Sequence, residues 1–202
     1  IARRQRQMCI RDRLQAEVAR APRDFGLISE LALQLADVAF AALQLGETKV
    51  ARDAYEAMPA LTARLRAVEP SDVHARLLDV SSLLGRARLA AGDDQLPSAL
   101  ALYDAARGEV DLVAALDPTN AETLMRRGGI YAEYGGVLWA QDKLTEADAA
   151  FTEAAATFAR LVRQQPEVNA NRNLMAATRS LAELAAAASA SPRSIACSAA
   201  NR

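Results

Sequence analysis

The stretch RRGGIYAEYGG holds two glycine pairs, Gly128-Gly129 and Gly135-Gly136, seven residues apart. Glycines cradle a phosphate when they form a strand-to-helix turn whose backbone N–H groups point at the anion, with Gly-Lys-Ser/Thr following. Here no period-two segment precedes the pairs and no such element follows them. The other use of glycine is a helix whose backbone comes close to a neighbour. A seven-residue step returns nearly to the same helix face. Each interior glycine costs about 1 kcal/mol relative to alanine, so close packing must offset four of them. A kink near Gly128-Gly129 is the competing explanation.

Other reactive side chains are sparse. His74 is the single histidine, and it falls in a helical first turn. Without a second histidine, His-based metal ligation and Cys–His nucleophile pairs lack material. Cys9 and Cys197 stand near opposite ends and form no C-x-x-C pair, so no disulfide framework is expected. Asp93-Asp94 reads as a solvated turn. No Glu-x-x-His element marks a carboxylate-bridged metal bundle. The expectation is a non-enzymatic chain with no catalytic residue, metal or cofactor. Trp139, the sole tryptophan, is either core or a partner-facing anchor.

The chain has 202 residues, 51% hydrophobic but only 4% aromatic. Alanine and leucine dominate, which favours helices packed through small side chains. Net charge is −1, so no global field draws the chain to nucleic acid or membrane. Arginines crowd residues 1–23 and leave the remainder acidic. No apolar run approaches the roughly 18 residues of a membrane span, and no signal-peptide pattern is read. The expected location is cytoplasmic. Because the first residue is Ile1, the chain reads as a fragment. QRQMCIRDR, ending at Arg13, fits the later pattern poorly.

The chemistry is thin, but the periodicity is strong. Pro22, Pro70, Pro118 and Pro166 are spaced by 48 residues. The same period links Ala51, Ala99 and Ala147, then Tyr55, Tyr103 and Phe151, then Leu65, Val113 and Leu161. The units are therefore 23–70, 71–118 and 119–166, with a partial fourth from Glu167.

Each unit reads as two helices. In the third, Thr119 with Glu122 suggests a capping box, a first helix runs to about Gln141, and Thr145 with Asp148 suggests a second start. Ala147, Phe151, Ala154, Phe158 and Leu161 follow the 3- and 4-residue steps of one helix face. The first two units break at Gly46-Glu47-Thr48 and Gly92-Asp93-Asp94. Proline stops each second helix. No strand is expected.

These columns resemble the tetratricopeptide repeat, whose signature is W-x2-L-G-x2-Y…A-x3-F…P over about 34 residues. Tyr131, Tyr134-Gly135 and Leu138, then Ala147 and Phe151, then Pro166 carry the likeness in unit three. Leu84-Gly85, Ala99, Tyr103 and Pro118 carry it in unit two. Leu35, Val38-Ala39, Ala42, Ala51, Tyr55 and Pro70 carry it in unit one. The likeness covers about residues 14–188, and each unit is roughly 14 residues longer than the short form. That is about two extra turns per helix. Gly135 coincides with the family's packing glycine.

The resemblance implies an all-α, right-handed α-solenoid of antiparallel helix pairs. Residues 1–22 would form a partial or artefactual helix, 23–166 three hairpins, 167–188 a capping helix and 189–202 a disordered tail. It also implies protein binding along the concave surface of the first helices. That surface would comprise Asp37, Phe40 and Gln44, then Arg76, Asp79 and Arg86, then Glu122, Arg126, Glu133, Gly136 and Trp139. The expected partner is a protein or peptide segment. Ser82 and Arg86, with Ala132 and Gly136, do not supply the carboxylate clamp of family members that bind C-terminal tails. Three alternatives are weighed: a regulatory region of a bacterial signalling enzyme such as a Ser/Thr kinase, a nucleic-acid-binding helical repeat, which the acidic repeat region disfavours, and self-association through open ends.

Overall fold

The computed structural model describes residues 12–190. Residues 1–11 and 191–202 lie outside the described residues, and with them Cys9, Cys197, most of the arginine-rich start and nearly all of the Ala/Ser-rich tail. The chain is all-α, with no strand among the described residues. Helix α1 covers residues 12–20. It is followed by α2 (Phe25–Gln44), α3 (Thr48–Val68), α4 (Val73–Gly92), α5 (Leu96–Leu116), α6 (Ala121–Ala140), α7 (Leu144–Gln164) and α8 (Asn169–Ala190). From α2 onward, alternate helices start 48 residues apart, at 25, 73, 121 and 169, and at 48, 96 and 144.

Two kinds of connection repeat with that period, each with its own chemistry. Helices α3, α5 and α7 end two residues before Pro70, Pro118 and Pro166. The residue preceding each proline is driven out of the helical region: φ is −133° at Glu69 and −135° at both Asp117 and Gln165. The next first helix is then capped by a side chain. Asp24 accepts from the Leu27 N–H, Asp72 from those of His74 and Ala75, and Asn120 from that of Thr123. The expected cap at Thr119 is thereby corrected. Thr119 lies in the turn, where its N–H and hydroxyl both donate to Asp117 Oδ1, at 3.0 and 2.8 Å. Asn120, directly before the helix, reaches the N3 amide instead.

The connections after α2, α4 and α6 use a left-handed residue. Gly46, Asp94 and Asp142 have φ of +73°, +60° and +62°. The following N–H reaches five residues back, from Glu47 to Ala42, Gln95 to Ala90 and Lys143 to Leu138, at 2.9, 2.8 and 3.0 Å. This is the Schellman closure, which satisfies orphan carbonyls at the helix end. Gly92 is thus still helical, and the conformational demand falls on Asp94. Helix α7 starts at Leu144 without a side-chain cap, so Thr145 lies inside it rather than before it.

The chain divides into two compact units between Thr123 and Leu124. In the first, α2 packs on α3, α3 on α4 and α4 on α5, and α2 also meets α4. Ile28, Leu31, Leu35, Ala39, Tyr55, Met58, Leu65 and Leu78 form its core together with Leu14 and Val18 of α1. By length and composition α2 is apolar enough to cross a membrane, with mean hydropathy 1.5 over its best window. That corrects the expectation that no such segment exists. Scanning for unbroken apolar runs overlooks a helix whose apolar stretches are broken by Ser29, Glu30, Gln34 and Asp37. Its buried residues, Ile28 to Ala42, supply the core just described.

In the second unit α7 packs on α8. The face read from the sequence as apolar, Ala147, Phe151, Ala154, Phe158 and Leu161, is buried throughout. Phe158 and Phe151 lie against α6 at its glycines. A Cβ on Gly128 would stand 2.6 Å from Phe158 Cε1, and one on Gly135 would stand 2.8 Å from Phe151 Cδ1. Gly129 and Gly136 face open space. Two of the four glycines therefore answer to close packing, and α6 continues as one helix through all four.

Candidate functional site

The proposed surface residues fall into three sets. On α2, Asp37, Phe40 and Gln44 are all exposed and share one strip, which Leu33 extends by a turn. Leu33 and Phe40 are 40% and 52% exposed, large for apolar side chains on a packed helix.

On α4, Arg76, Asp79 and Arg86 are half-buried, and two of them have intramolecular partners. Arg66 of α3 donates to Asp79 at 2.9 Å and to Glu109 of α5 at 3.3 Å. Arg76 donates to the other Glu109 oxygen at 2.7 Å and to the Pro70 carbonyl at 3.0 Å. Thr62 of α3 also donates to Asp79. The Arg66 guanidinium is held above its ordinary pKa, chiefly by its hydrogen bond to Asp79 and against the opposing effect of burial. This network ties three successive helices together. Arg76 and Asp79 are therefore joints within the unit before they are a surface. Thr62, Arg66 and Glu109 were not singled out from sequence, because their partners are 13 to 43 residues away.

The 48-residue register also separates the α2 and α4 sets. Arg76, Asp79 and Arg86 occupy the columns of Ile28, Leu31 and Val38, which are buried in α2. The α4 residues in the columns of Leu33, Asp37 and Phe40 are Ser81, Gly85 and Arg88. Gly85 is covered: a Cβ there would lie 2.2 Å from the Tyr55 ring of α3. The likeness that paired Gly85 with Gly135 is also out of register. The column-mates of Gly135 are Ala39 and Ala87, both fully buried.

On α6, Glu122 and Gly136 are exposed, while Arg126 and Glu133 are half-buried. They lie within about 80° of one another at 100° per residue, and Trp139 sits about 60° beyond Gly136. Trp139 is 37% exposed in the last turn. Gly136 and Phe40 share a column. The neighbouring Arg127 is drawn inward: it stacks 4.6 Å over the Tyr131 ring and donates to Thr157 and Glu153 of α7.

A cavity of about 350 Å³ opens between α7 and α8, lined by Ala155, Ala159, Met175, Arg179 and Glu183 among others. His74 is exposed in the first turn of α4. Among the described residues, no group of three His, Cys, Asp or Glu side chains is placed to hold a metal ion.

No family model matches the chain, and no curated protein matches it. Among solved structures the chain is similar to the crystal structure of BtubC (BKLC) from P. vanneervenii, at 16% identity and a TM-score of 0.38, with 98% of each chain covered.

Proposed function

We propose that this chain is a non-catalytic protein-binding module, a solenoid of antiparallel helix pairs of the tetratricopeptide type whose first helices receive a partner segment. The shared 48-residue register of helix starts, caps and left-handed turns supports the repeat reading. So does the order of contacts between α6 and α7, in which Gly128 meets Phe158 and Gly135 meets Phe151. As one helix advances by seven residues, the other retreats by seven.

The binding reading rests on one observation, the exposed pair Leu33 and Phe40 on α2. They share columns with Ser81 and Arg88 on the adjoining α4, neither of which is fully buried. Exposed apolar anchors ringed by polar groups are the usual core of a protein-binding surface. The occupant is an amphipathic segment that lays apolar side chains on Leu33 and Phe40. The test is an affinity capture with the wild-type chain and with Leu33→Ala/Phe40→Ala, followed by titration of the captured segment. The reading requires at least about a tenfold loss of affinity in the variant, equal to 1.4 kcal/mol. Equal binding by both chains would remove it.

A further inference from the structure

Helix α8 carries an unpartnered seam. Leu174, Ala177, Leu181, Leu184 and Ala188 are spaced by 3, 4, 3 and 4 residues, the a/d pattern of a coiled coil. The three leucines are 39%, 39% and 58% exposed, and Ala177 is exposed with them. The seam runs beside the edge by which α8 is buried in its unit, formed by Asn171, Thr178 and Ala185. In α4 the columns of Leu174 and Leu181 are Leu78 and Gly85, both buried, so α8 exposes a face that α4 covers.

We infer that this seam pairs with the same seam of a second copy of the chain, the two α8 helices lying antiparallel. This interface is additional to the segment-binding surface on α2 and does not depend on it. Two features select a second copy, and a third sets how strongly it is held. The first is self-complementarity. With Leu174 opposite Leu184 of the other copy, Ala177 falls opposite Leu181, and the two-fold axis repeats both layers. The four layers from Leu174 to Leu184 then pair leucine with leucine or leucine with alanine, Ala188 falls opposite Ala170, and the same patch is used on both copies, as an isologous contact requires.

The second feature is charge. Arg172, Arg179 and Glu183 fall outside the seam, and the positions beside its open edge are Asn173, Ser180 and Ala187. Two identical helices therefore meet without opposed like charges, which would disfavour the pairing. The third is area. A 22-residue helix is about 33 Å long and about 10 Å wide, offering roughly 330 Å². A stable interface needs about 800 Å² per partner. The pairing is accordingly reversible and concentration-dependent.

The test is analytical ultracentrifugation of the full chain from about 5 μM to about 1 mM, a range that brackets weak association. The average mass is expected to rise from 21.6 kDa toward twice that value. Leu181→Gln/Leu184→Gln should move the midpoint upward by at least about tenfold, with its helical circular dichroism unchanged. In a Cys9→Ser/Cys197→Ser background, Leu174→Cys and Leu184→Cys chains should cross-link when mixed and not when oxidised separately. A monomer at every concentration, unaltered association in the glutamine variant, or cross-linking by Leu174→Cys alone would each overturn the inference.

Discussion

The hydroxyl of Ser82 on α4 donates to the backbone carbonyl of Tyr55 on α3 at 2.9 Å. That carbonyl lacks its ordinary helical donor, because the residue four positions on is Pro59, inside the same helix. A proline has no N–H and would leave a buried acceptor bare. A side chain from the next helix fills the gap, beside the place where the Tyr55 ring covers Gly85. The mid-helix proline of α3 and the serine of α4 are therefore one feature.

That pairing predicts non-additive mutations. Ser82 is 1% exposed, so Ser82→Ala should cost about 1–3 kcal/mol by leaving a buried carbonyl unsatisfied. In a Pro59→Ala chain the alanine N–H can restore the helical bond, and Ser82→Ala should then cost less than half as much. A four-chain urea-denaturation cycle reads the coupling. Additive effects would show that the serine and the proline act independently.

The glycines of α6 should respond with opposite signs. Gly128→Ala and Gly135→Ala thrust a methyl into Phe158 and Phe151, whose rings are almost wholly buried. Overpacking of this kind costs about 1–3 kcal/mol. Gly129→Ala and Gly136→Ala meet nothing within 4 Å and should stabilise by up to about 1 kcal/mol through helix propensity. Thermal melts of the four single variants separate the pairs, and a common sign would refute the packing account.

The ion pairs should divide by burial. Arg66 and Asp79 are 33% and 16% exposed in their side chains, whereas Lys49 and Asp53 are 86% and 61% exposed. Double-mutant cycles should give about 1 kcal/mol or more for the first pair and at most about 0.5 kcal/mol for the second. Added salt should erase the second coupling and leave most of the first.

Asp117 gives a pH signature. Its carboxylate accepts from the Thr119 hydroxyl and then from the Thr119 amide, and these bonds hold its pKa below the ordinary 3.8. A carboxylate depressed on folding stabilises the chain above its unfolded pKa and loses that contribution as pH falls through the lowered folded value. Asp117→Ala should therefore melt below wild type at neutral pH. The gap should close as pH falls below about 4. A gap that stays constant down to pH 2 would show that the carboxylate charge plays no part.

Much of the secondary structure was legible in the prolines and aromatics. A 48-residue spacing of Pro70, Pro118 and Pro166 fixes where helices must stop, since proline acts locally on its own and the preceding residue. The Ala-x3-aromatic columns mark which face is buried, because burial follows the helical period. Thr119 and Asn120 are both good caps by type, and backbone geometry in the turn decides between them. The internal partners of the α4 residues were hidden for a different reason. Arg76 and Asp79 look solvated in a linear reading, and only the folded unit brings Arg66 and Glu109 to them.

The sequence by itself determined the all-helical character, the repeat length and the stops, because propensity, proline sterics and periodicity act over a few residues. Tertiary structure alone decided which glycines are pressed against aromatic rings and which stand open, and which charges are internal joints. It also decided which leucines on α8 remain uncovered. Those outcomes depend on distances between residues far apart in the chain, and no local rule carries that information.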